Sequence, residues 1–68
     1  MTRESFTVAG MTCQHCAASV TEELTEISGV RAVDVDVLSG LVTVTSKHPL
    51  PVESIRAAID EAGYRLAD

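Results

Sequence analysis

Cys13 and Cys16 stand three apart in the run Gly10-Met11-Thr12-Cys13-Gln14-His15-Cys16. A Gly-containing loop there runs into a helix. This spacing places one thiol on the loop and the other in the first helical turn, both converging outward on one point. The unpaired N–H groups and positive end of a helix stabilise negative charge at such a point. The thiolate so favoured is the form that binds metals and attacks disulfides. With only two cysteines in the chain, a pair of convergent thiolates suits a soft ion content with two ligands. Cu(I) answers that description, whereas a closed structural zinc site takes four ligands. The same spacing also fits thiol–disulfide exchange, half of a zinc site, or two inert thiols. Exchange of the thioredoxin type requires a larger sheet than 68 residues supply, and usually Trp and Pro at the thiols; this chain has no Trp.

The elements that must position the thiols can be read from periodicity. Residues 4–8 place Phe6 and Val8 two apart, the period of a half-buried strand. After the cysteine loop, apolar residues fall at Cys16, Val20, Leu24 and Ile27, a helical stripe, with Glu22, Glu23 and Glu26 on the wet side. Ser28-Gly29 ends that helix. Val33, Val35 and Val37 then alternate with Asp34 and Asp36, a strand signal. Leu38-Ser39-Gly40 makes a tight connection to a second alternating run, with Val42 and Val44 inward, and the two runs predict an antiparallel hairpin. Lys47 to Pro51 is a loop, with Pro51 opening a second helix. There Val52, Ile55, Ile59 and Ala62 form the apolar stripe and Gly63 stops it. Tyr64 to Leu66 suffices for a short last strand. The predicted order is βαββαβ, an α+β ferredoxin-like domain spanning residues 1–68. Its two helices share one face of a four-stranded antiparallel sheet, because only then do all elements bury one common core.

Composition narrows the function classes. A chain of 68 residues makes one small domain that buries roughly 60% of its unfolded surface, leaving no room for a deep cleft between lobes. Five basic against ten acidic residues give a net charge of −5. That argues against nucleic acid, which clustered Lys and Arg recognise, and against an anionic membrane surface. A partner with a basic docking face suits it. The N-terminus lacks the apolar stretch of a signal peptide, and no run approaches a membrane span of ~18 apolar residues. The expected location is therefore the cytoplasm, where thiols stay reduced. Beyond the two thiols no catalytic apparatus is visible, so the chain is not read as an enzyme.

The cysteine run, followed by Val20, Leu24, Gly29-Val30, Val33, Val35 and later Ile55, Ile59 and Ala62-Gly63-Tyr64, resembles the heavy-metal-associated domain family. That family includes bacterial copper chaperones, N-terminal domains of copper-transporting P-type ATPases and mercury-binding relatives. The likeness spans nearly the whole chain. It implies the ferredoxin-like fold, soft-metal binding by Cys13 and Cys16, and handover of Cu(I) through a shared thiolate intermediate. The implied partner is a P-type ATPase metal-binding domain or a copper-responsive regulator, with a monomer when metal-free and Cu-bridged dimers at excess metal. Since the chain opens on its own Met1, a free carrier is expected in preference to an excised ATPase domain. A mercury carrier and a dithiol oxidoreductase are the competing readings. Zinc and cadmium carriers of this fold often bring an acidic residue into the loop, where this chain has Thr12.

Three neighbours of the thiols complete the expected site. Met11 invites a reading as a thioether ligand, but a flexible gap-filler beneath the loop is the expected role, as the resemblance also implies. His15, between the cysteines, could ligate metal, tune the thiols, or simply face solvent. Tyr64 is brought near the loop by the implied fold, where its ring would shield the thiols and its hydroxyl reach toward them. His48, before Pro49, reads as plain surface.

Overall fold

The alternating and helical patterns close into one sheet covered on one side by two helices. A computed structural model describes residues 1–67 and orders them β1 (Thr2–Ala9), α1 (Gln14–Thr25), β2 (Val30–Asp36), β3 (Leu41–Ser46), α2 (Val52–Glu61) and β4 (Arg65–Leu66). The strands lie in the order β2-β3-β1-β4, with every pairing antiparallel. This is the ferredoxin-like arrangement expected from the order of elements.

Register decides which residues reach the core. Phe6 pairs with Val42, and Val42 in turn with Val35, so these side chains share the helix-facing side. Val8, Val42 and Val44 are buried there, while Val33 and Val35 on the edge strand are only half-buried. Helix α1 contributes Val20 and Leu24, one turn apart, and α2 contributes Ile55 and Ile59 in the same way. Each such fully buried aliphatic side chain stabilises the fold by roughly 1.5–3 kcal/mol over its exposed state.

Several expected details shift. Strand β1 begins at Thr2 rather than residue 4, because pairing with β3 continues down to Ser46. Helix α1 stops at Thr25, so Ile27 packs on the core from the following turn. Val52 does not join the apolar stripe: as the first residue of α2 it is 47% exposed, and Leu50 and Ala58 fill the core in its place.

Topology brings three connections to one end of the sheet. There β1 runs out at Ala9 into the cysteine loop, and β4 enters opposite it, with Ala9 paired to Arg65. The β2–β3 turn lies beside them, tied to β1 by the Val8 N–H donating to Gly40 O at 2.9 Å.

Candidate metal centre

The loop and helix treat the two thiols differently. Cys13 is the N-cap residue of α1, in an extended conformation (φ −155°, ψ 173°), and its side chain caps no backbone N–H. It is exposed, whereas Cys16, three residues later in the first turn, is half-buried against the core. The helix carries no acidic side chain in that first turn, so the sulfurs are the groups positioned to use its positive end. Their separation is 3.3 Å, a thiol–thiol hydrogen bond.

Electrostatics single out Cys16. Its pKa is lowered to about 6, chiefly by the Thr12 backbone, then by the Tyr64 hydroxyl and the Cys13 thiol, with burial opposing. Hydrogen bonds directed at a sulfur favour its charged form. The reciprocal effect appears on Tyr64, whose pKa is raised first by its hydrogen bond to Cys16, then by burial and by the charge of the two thiols.

Tyr64 reaches this position because of how α2 ends. Gly63 (φ 92°) follows the C-cap Ala62. Its N–H donates to Asp60 O at 3.0 Å, and that of Tyr64 to Ile59 O at 3.1 Å. This pair of bonds is a Schellman motif, which turns the chain sharply and fixes where the next side chain points. The ring lies against Gly10, where an added Cβ would stand 3.3 Å from Tyr64 Cδ1. Gly10 also holds φ 95°, so both its conformation and its missing side chain serve the contact. Sequence periodicity marked Gly63 only as a stop signal; the Schellman geometry and the part played by the Thr12 backbone lay beyond it.

The remaining neighbours separate cleanly. Met11 is buried in the core cluster. His15 is exposed on the first turn between the thiols. His48 lies elsewhere, its ring packed over Gly29 and its Nδ1 within 3.2 Å of Pro49 O. Among the described residues no group of three or more His, Cys, Asp or Glu side chains could hold a metal. The donor set is therefore a lone pair of sulfurs on an open surface, which fits a soft ion of low coordination number and leaves room for an incoming ligand.

Comparisons with known proteins agree with this geometry. The heavy-metal-associated domain matches residues 5–65. Copper chaperone CopZ of Bacillus subtilis (strain 168) is 37% identical over 68 residues, covering 98% of this chain and 99% of its own. A solved structure of a CopZ metallochaperone superposes with a TM-score of 0.90 at 33% identity, over 97% of this chain and all (100%) of that one. A copper-binding domain from a P-type ATPase gives a TM-score of 0.88 at 30% identity, over 97% and 90% of the two chains.

Proposed function

The chain belongs to the heavy-metal-associated domain family, and on that premise we propose that it is a copper carrier of the CopZ type. In this reading residues 1–68 form one cytoplasmic domain that binds a single Cu(I) between the thiolates of Cys13 and Cys16. Its cargo passes to the metal-binding domain of a copper-transporting P-type ATPase. The observation that carries the reading is the pair of sulfurs 3.3 Å apart at a helix N-terminus, with no third His, Cys, Asp or Glu side chain grouped with them among the described residues. The names of the similar proteins support copper over other soft ions.

Handover follows from exposure. A thiolate of the acceptor enters beside the two sulfurs and one sulfur of this chain departs; a second acceptor thiolate then displaces the other, leaving the ion on the acceptor. Copper keeps its oxidation state throughout, so neither oxidant nor reductant is needed. Cys13, exposed and outside the helix, is the sulfur placed to leave or to meet the partner. Met11 supports the loop from below and Tyr64 shields Cys16, while His15 stands exposed between the thiols.

An anaerobic titration against competing Cu(I) and Zn(II) chelators tests the site. One Cu(I) per chain is expected at low loading. Cys13→Ser and Cys16→Ser should each weaken binding by more than about 100-fold, since loss of even an outer-shell partner costs 10–100-fold. Wild-type affinity in either variant would refute the two-thiolate site. X-ray absorption should show a sulfur-only shell in both wild type and His15→Ala; a nitrogen scatterer lost in the variant would make His15 a ligand.

A further inference from the structure

The end of the sheet that carries the thiols also carries a side chain with no intramolecular role. Leu38, in the β2–β3 turn, is 99% exposed, and Leu41 just beyond it is 42% exposed. A lone surface leucine is ordinary, but this one is held out by its own turn. The Leu38 N–H donates to Asp36 Oδ1 at 3.1 Å and that of Leu41 to Ser39 Oγ at 3.3 Å. The Gly40 N–H donates to Asp36 O at 2.8 Å, and Gly40 O accepts from Val8. Gly40 itself has φ 77°, and a Cβ there would meet Val8 O at 2.9 Å, so the turn sits tightly against β1. Leu38 cannot fold back on the core without breaking these bonds. An apolar side chain presented on so rigid a mount loses little further backbone freedom when a partner covers it.

Position gives this exposure a use. Helix α1 packs on β2, so the cysteine loop crosses from β1 over the same end of the sheet from which Leu38 projects. Any domain that brings a sulfur to Cys13 approaches this end. Its charged groups include Asp36 at the end of β2 and Asp60 and Glu61 closing α2, against Arg65 on β4. Two copies of a chain with net charge −5, facing each other through this end, would set like charges together. An acceptor with an apolar depression rimmed by Lys and Arg would not.

We propose that Leu38 is the apolar anchor by which the copper-accepting metal-binding domain docks over the thiols. This rests on the carrier reading above and adds the contact that selects the partner.

The test is stopped-flow transfer of Cu(I) from the loaded protein to the N-terminal metal-binding domain of the copper-transporting ATPase encoded in the same genome. Leu38→Ser should keep its unfolding midpoint and its Cu(I) affinity in chelator competition. Its second-order transfer rate should fall on the order of tenfold, as truncated anchors do, and the deficit should persist at raised salt because the lost contact is apolar. Leu38→Met should restore the rate. Val52→Ser, which removes an exposed apolar side chain at the opposite end, should transfer like wild type. Transfer by Leu38→Ser at the wild-type rate would overturn the anchor and leave the carrier function standing. Failure of the wild type to transfer at all would overturn the carrier function and the anchor with it.

Discussion

The sulfur of Cys13 lies 3.3 Å from that of Cys16, closer than an ion held between them allows. At a metal–sulfur distance of roughly 2.3 Å, near-linear coordination needs the sulfurs about 4.6 Å apart. A pair holding such an ion would therefore spread, and the fold determines which partner moves. Cys16 is half-buried and locked in the first turn of α1, while Cys13 is exposed and stands outside the helix. On Cu(I) binding, amide chemical shifts should change most at Thr12–Gln14 and little from Ala17 to Val20. Equal changes along the first two turns of α1 would show that the helix, not the cap residue, adjusts.

The low pKa of Cys16 links stability to pH. A thiol in the unfolded chain titrates near 8.5, and in the folded chain near 6. Folding thus favours the thiolate, a contribution fully present above about pH 8.5 and lost as the pH falls through about 6. The metal-free protein should melt at progressively lower temperature from pH 8.5 down to 6, and Cys16→Ser should flatten that slope. The Cys16 13Cβ shift should report the first thiol proton leaving near pH 6. A midpoint above 8 would contradict the part assigned to the Thr12 backbone.

Removing the Tyr64 hydroxyl isolates its share. In Tyr64→Phe the Cys16 pKa should rise, and Cu(I) affinity near pH 6 should fall while affinity above pH 9 stays close to wild type. The shift should be only part of the whole, because the Thr12 backbone acts more strongly. Tyr64 is the single tyrosine and the chain has no Trp, so the tyrosinate band in the near ultraviolet follows its phenol alone. In wild type that phenol should ionise above the usual 10, and in Cys16→Ser it should return toward it.

Gly10 tests the loop's shape. Alanine there must adopt φ 95° and give way to the Tyr64 ring at 3.3 Å. A positive φ costs a residue with a side chain about 1–2 kcal/mol, and a small domain has only a few kcal/mol to lose. Gly10→Ala should lower the urea midpoint accordingly and raise the Cys16 pKa by displacing Tyr64. A lost midpoint with an unmoved thiol pKa would separate backbone strain from the ring contact.

Much of this architecture is local and so lies open in the sequence. The stripe through Val20 and Leu24, the alternation of Val42 and Val44, and Gly63 just past the C-cap of α2 each depend on a few neighbours along the chain. Their types and order permit one shared core, and the Cys13–Cys16 spacing at a helix start already implies paired thiolates at a positive helix end. The tertiary structure alone decided which sulfur is exposed, since that depends on how α1 seats on the sheet. It also decided that Val52 faces solvent. The meeting of Gly10 with Tyr64, 54 positions further along, and the outward mount of Leu38 against Val8 likewise arise only when β1 gathers β3 and β4 on either side. Periodicity fixes which face of an element turns inward, but contacts between distant residues depend on register and closure, and no single stretch of sequence contains those.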